Sequence, residues 1–216
     1  MNNYKPPKMS HRFRGLLPVV IDVETSGLNS STDALLEIAA VTLMMDEEGR
    51  LHKDQTYAYH VEPFAGARFE KEALEITGID PHYPLRFAIP ESQALRRIFA
   101  VVRDKLEQTA CYRAVLVGHN AWFDLSFIQA AAKRSALYHH PFHTFTTFDT
   151  ASLAAIALGE TVLARAVRRA HIPFNIEDAH SAIYDVERTA ELFCYITNQY
   201  LRLKSRISSE VRHPPS

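Results

Sequence analysis

In this chain of 216 residues, the strongest constraint on folding is a short apolar run that ends in charge. Pro18-Val19-Val20-Ile21 leads directly into Asp22-Val23-Glu24. A β-branched run of this length reads as a buried strand over Pro18–Glu24. Thr25-Ser26-Gly27 ends it with turn chemistry. Side chains two apart on a strand share a face, so Asp22 and Glu24 present two carboxylates side by side at the strand's end. Like charges that close each resist ionisation unless a divalent cation lies between them, and carboxylate oxygens suit Mg2+ or Mn2+. Asp-x-Glu recurs at Asp46-Glu47-Glu48 and Asp185-Val186-Glu187. Only the first copy follows a buried apolar strand, where unpaired carboxylates are costly. The competing reading is a strand-end pair that simply reaches solvent.

The rest of the chain reads as one α/β domain. Strands are expected over Leu36–Met44 and Thr56–Val61, with Asp46–Gly49 as the turn between them, so that the first three strands form an antiparallel meander. Glu70–Thr77 reads as a short helix stopped by Gly78. Leu95, Ile98, Phe99, Val102 and Leu106 recur at helical spacing and place an amphipathic helix over Glu91–Gln108. Ala114–Val117 reads as a further strand. Helices follow over Leu125–Arg134, Thr150–Leu158, Thr161–Ala170 and Ala182–Tyr200. This order predicts a mixed sheet flanked by helices. Residues 12–204 are expected to form the domain, with 1–11 and 205–216 as flexible tails.

Composition narrows the class. Hydrophobic residues make up 47% of the chain and charged residues 23%, ordinary globular values that exclude wholesale disorder and collagen-like architecture. The longest nearly apolar stretch, Leu153–Leu158, is too short for a membrane span. Cys111 and Cys194 make no disulfide framework and read as buried thiols in a reducing compartment. Met1–Gly15 is polar and basic, without a secretory apolar core, so a cytoplasmic location is expected.

The net charge is −1, but it is unevenly laid out. Lys5, Lys8, Arg12 and Arg14 open the chain. Gly15–Gly49 then holds seven acids and no Lys or Arg. A basic rim around an acidic centre would draw phosphates only if that centre held cations.

Two further motifs bear on this. Gly118-His119-Asn120-Ala121-Trp122-Phe123-Asp124 lies between a strand and a helix, where Asp124 either caps free amides or joins a site. His180 stands five residues before Asp185. The two would lie about 140° apart in mid-helix, so they share a site only if His180 precedes the helix and Asp185 lies one turn in. An imidazole suits a general base at neutral pH.

Asp22-x-Glu24, Asp124 after His-Asn-Ala-x-Phe, and His180 with Asp185 together resemble the three motifs of the DEDDh exonuclease superfamily. Val19–Gly27, Asp33–Leu43, His60–Gly66, Phe148-Asp149-Thr150 and Ala179–Thr189 resemble, more closely, the bacterial ribonuclease T family. The likeness covers about residues 12–200. It implies a ribonuclease-H-like fold and a two-metal hydrolase that removes nucleotides from RNA 3′ ends, tRNA among them. Two Mg2+ would be held by Asp22, Glu24, Asp124 and Asp185, with Mn2+ able to substitute, and His180 would take a proton from the attacking water. The resemblance also implies terminal bases stacked at Leu28, Ile76, Phe123 and Phe145, near Glu72. Phenylalanine is usual at all four stacking positions, so Leu28 and Ile76 depart from the family pattern. A homodimer is implied as well, with a basic patch of Arg12, Arg14 and Arg113 holding RNA for the partner's site. Tyr138 stands where that patch usually has a basic residue. His139, His140 and His143 have poor spacing for zinc, with no Cys near. The alternatives are an exonuclease acting mainly on single-stranded DNA ends or short oligonucleotides, and a non-catalytic RNA-binding module.

Overall fold

The computed structural model describes residues 7–175 and 181–212. Six strands form one mixed sheet: β1 Leu16–Thr25, β2 Leu35–Met45, β3 Leu51–Glu62, β4 Ile89–Pro90, β5 Arg113–Gly118 and β6 Phe142–Asp149, in the order β4-β3-β2-β1-β5-β6. The β1, β2 and β3 meander is antiparallel, whereas β5 runs parallel to both β1 and β6. The helices are α1 Met9–Arg12, α2 Lys71–Thr77, α3 Glu91–Thr109, α4 Trp122–Arg134, α5 Thr150–Leu158, α6 Leu163–Arg169 and α7 Ala182–Arg212.

Helices cover the central strands on both faces. Glu187 of α7 accepts a hydrogen bond from the Thr56 hydroxyl at 2.9 Å, while Arg97 of α3 lies 5.4 Å over the Tyr59 ring. Thr56 and Tyr59 are three apart on β3 and so point to opposite faces. Strands covered on both faces read as continuous apolar runs rather than alternating ones. Val19, Val20 and Ile21 of β1 and Val115, Leu116 and Val117 of β5 are all fully buried.

The expected elements are present, with changed bounds and three additions, α1, β4 and β6. β3 begins at Leu51, five residues earlier than expected. Its solvent-side residues His52, Asp54 and Gln55 carry no apolar alternation, and its outer edge meets only the two-residue β4. β6 was not expected. As an edge strand it is mostly partly exposed, and its Phe/Thr alternation sat behind a His-rich segment. Helix α1, Met9–Arg12, begins within the stretch expected as an N-terminal tail and buries Met9 in the main core. α7 continues to Arg212, well into the stretch expected as a C-terminal tail. Cys111 and Cys194 are buried free thiols, and burial pushes the Cys194 thiol up to about 12. Among the described residues, no single helix is long and apolar enough to cross a membrane.

Candidate active site

In an open α/β sheet, the carboxyl ends of the parallel strands form the natural crevice. Here β1 delivers Asp22 and Glu24 to that end, and β5 delivers Gly118. After Gly118 the chain turns through Asn120, whose left-handed φ of 66° is one that Asn tolerates. The Asn120 N–H donates to Asp149 Oδ1 at 2.8 Å, which ties this turn to the N-cap of α5. His119 bridges the same elements, with Nδ1 3.0 Å from Thr150 Oγ1 and Nε2 2.8 Å from the Thr161 carbonyl. Burial lowers its pKa, which favours the neutral imidazole that these two contacts hold in place.

Helix α4 starts at Trp122, three residues earlier than expected, which puts Asp124 inside its first turn. Asp124 is buried and also reaches the neighbouring strand: the Val23 N–H donates to its Oδ1 at 3.1 Å. Gly118 makes room for it, because a β-carbon there would lie 2.9 Å from Asp124 Oδ2. Helix α7 supplies the fourth carboxylate. Asp185 lies in its first turn, and its N–H donates to the Ser181 carbonyl. His180 lies outside the described residues.

The four acids feel one another. Burial, then the charges of Asp124, Glu24, Asp185 and Glu37, push the Asp22 carboxyl well above its ordinary range. Burial, then Asp185, Glu37 and Asp124, push Glu24 up to about 8. Asp124 is likewise pushed up to about 8 by burial, although hydrogen bonds from its own N–H and that of Val23 pull the other way. Among the described residues, no Lys or Arg forms an ion pair with Asp22, Glu24 or Asp124, and no three His, Cys, Asp or Glu side chains already stand as a finished metal cage. The site is therefore a cluster of hard-oxygen donors held together against their own repulsion, a donor set that fits divalent cations.

Of the positions expected to meet the terminal bases, Leu28, Ile76 and Phe145 are exposed by 76%, 62% and 81%, and Glu72 is exposed on α2. Phe123 is half-buried, between Trp122 at 5.9 Å and Phe127 at 5.0 Å. Trp122, 68% exposed, is an additional aromatic surface that the sequence reading passed over. Glu37 was also passed over, although it stands opposite Glu24 on β2.

The three arginines are elsewhere. Arg113 opens β5 opposite Leu16 at the start of β1, with Arg12 and Arg14 just before it. Six strand residues from Leu16 to Asp22 span about 20 Å, so the patch and the carboxylates lie at opposite ends of the sheet. Arg12 is also engaged within the fold, donating to the Thr197 carbonyl of α7 at 2.9 Å.

The exonuclease family model named for RNase T matches residues 19–193. The chain belongs to the RNase T exonuclease family. It is 57% identical to ribonuclease T of Cronobacter sakazakii over 195 residues, covering 90% of this chain and 87% of that one. Ribonuclease T of Hahella chejuensis is 54% identical over 202 residues, 94% of this chain and 92% of that one. The structure resembles E. coli exonuclease I in complex with a dT13 oligonucleotide, at a TM-score of 0.66 and 18% identity; the match covers 90% of this chain and 44% of that longer protein, and shows the shared fold. As a family member the chain is a 3′→5′ exoribonuclease, a hydrolase of phosphodiester bonds acting on nucleic acid, and enzymes of this type depend on divalent metal.

Proposed function

We propose that this chain trims the 3′ ends of structured RNAs such as tRNA, with Asp22, Glu24, Asp124 and Asp185 holding two divalent cations, Mg2+ or Mn2+. The observation that supports this best is the gathering of four carboxylates from β1, α4 and α7 into one mutually repelling cluster. The cations would supply the positive charge that lets an anionic phosphodiester approach and stabilises the attacking and leaving oxygens.

The chain's own residues do the rest. Val23 and Gly118 fix the placement of Asp124. Trp122, Phe123 and Phe145 offer aromatic surface for the terminal bases, while Leu28 and Ile76 contribute aliphatic contact and Glu72 a carboxylate at the rim. His180, on the strength of the family resemblance, takes a proton from the attacking water. Water oxygen bonds to phosphorus and the bond to the 3′ oxygen breaks. The products are a nucleoside 5′-monophosphate and a shortened strand with a 3′-hydroxyl.

Arg113 lies about 20 Å along the sheet from its own chain's carboxylates, and Arg12 and Arg14 immediately precede β1 at that same end. A homodimer in which this patch holds RNA for the partner's site accounts for the separation. The enzyme works in the cytoplasm.

The test is digestion of a 3′-labelled tRNA and of a matched single-stranded DNA, with Mg2+ and with EDTA. Mg2+-dependent release of mononucleotides from the tRNA is expected, with loss of turnover in Asp124→Asn. Turnover on DNA alone, or full turnover in EDTA, defeats the proposal.

A further inference from the structure

We propose that Glu37 is a positioning residue of the nuclease site, strengthening divalent-cation binding through Glu24. This rests on the two-cation reading above.

Glu24, Glu37 and His60 lie in one row across three strands, Glu24 paired with Glu37 and Glu37 with His60. Directly paired residues point to the same face, and the neighbouring row on that face, two residues further into the strand, begins with Asp22. Glu37 therefore shares the face that carries the cluster. Opposed β-carbons in such a pair are about 4.5–5.5 Å apart, and like charges there destabilise a sheet. A bare carboxylate pair is thus a poor way to hold β1 to β2.

Glu37 is not free to turn away. His60 Nδ1 lies 2.8 Å from Glu37 Oε1, and the Glu37 side chain is only 17% exposed. Arg86, whose guanidinium feels the Glu37 charge, gives its hydrogen bonds to the Leu36 carbonyl at 2.8 Å and the Pro81 carbonyl at 3.5 Å and forms no ion pair with Glu37. A fifth carboxylate, oriented by His60, therefore stands beside Glu24. Its field favours a divalent cation at the cluster, and it restricts where the Glu24 carboxylate can swing. Residues that orient metal ligands in this way commonly contribute 10–100-fold in metal affinity.

The alternative is that Glu37 only anchors β3 to β2 through His60. Glu37→Gln separates the two roles, because the amide oxygen keeps the hydrogen-bond acceptor for His60 and loses only the charge. Mn2+ is titrated calorimetrically into the full chain without nucleic acid, for the parent, Glu37→Gln, Glu37→Asp and Glu24→Gln. Glu37→Gln is expected to bind Mn2+ about tenfold more weakly while melting no lower than the parent in EDTA, and Glu37→Asp to recover most of the affinity. In RNA digestion, Glu37→Gln should raise the Mg2+ concentration for half-maximal turnover about tenfold, with kcat at saturating Mg2+ within about threefold of the parent. Parent-like Mn2+ binding in Glu37→Gln overturns the proposal, and so does a kcat that saturating Mg2+ fails to restore. A parent that takes up no Mn2+ defeats the two-cation reading itself, a result distinct from either.

Discussion

A site built from repelling carboxylates should weaken the fold that carries it, and Glu24→Gln exposes how much. In the metal-free protein Glu24 titrates near 8 instead of 4.5. Between those pH values the folded chain keeps a proton that the unfolded chain has released, so raising the pH favours unfolding. The stability linked to Glu24 is complete below pH 4.5 and is lost as pH climbs towards 8. Each pH unit is worth about 1.36 kcal/mol per retained proton. From pH 4.5 to 7.5 that reaches about 4 kcal/mol, and roughly half remains after allowing for partial exposure and for sharing of protons within the cluster. Glutamine has no proton to lose. Glu24→Gln should therefore match the parent near pH 5 and melt higher at pH 7.5. At about 2–4 °C per kcal/mol for a chain this size, the gap is roughly 4–8 °C. The assay is thermal unfolding in EDTA across this pH range. Mg2+ should then raise the parent's Tm strongly at pH 7.5 and that of Glu24→Gln far less, since ligand binding stabilises by mass action. Parallel Tm curves for the two proteins from pH 5 to 7.5 would refute the reasoning.

Three further outcomes follow from named contacts. Leu28→Phe with Ile76→Phe should tighten binding of short single-stranded 3′ ends at least several-fold, given about 1–3 kcal/mol per stacked base, and fluorescence anisotropy checks it. Gly118→Ala places a methyl group 2.9 Å from Asp124 Oδ2, so turnover should fall at least about tenfold while circular dichroism stays native. Replacing Arg14 and Arg113 with Ala should weaken tRNA binding and flatten its dependence on salt, while turnover of dinucleotides, too short to reach the patch, is retained. Equal salt slopes for variant and parent would count against the phosphate-contact role.

Much of the architecture was legible because the apolar pattern is strong where packing is strong. β1 and β5 are buried on both faces, so their Val, Ile and Leu runs could hardly read as anything else. Helix α5 lay at its expected bounds, Thr150–Leu158, because Asp149 caps one end, accepting from the Ala151 and Ser152 N–H groups, and Gly159 closes the other with φ 71°. β6 and the first half of β3 escaped for the opposite reason. They are partly exposed edges, and their sequences answer to solvent and turn geometry as much as to the core. The early start of α4 was hidden because Asn120 and Ala121 form the turn without a Ser, Thr or Asp cap before the helix.

The same distinction separates the parts of the site. Asp22 and Glu24 were legible because two acids ending an apolar strand conflict with their own surroundings, and that conflict is visible in a single segment. Glu37 carried no such mark. Leu36-Glu37-Ile38 looks like an ordinary strand with one polar residue, and its meaning comes from which residue of β1 it faces. Register is fixed by the hairpin, the bulge after Glu24 and the packing of both faces. A slip of one residue would send the Glu37 side chain to the α3 side of the sheet and leave Glu24 without its neighbour. The charge beside the ligands is thus a property of strand pairing and not of any linear motif, which is why it became visible only once β1, β2 and β3 were aligned.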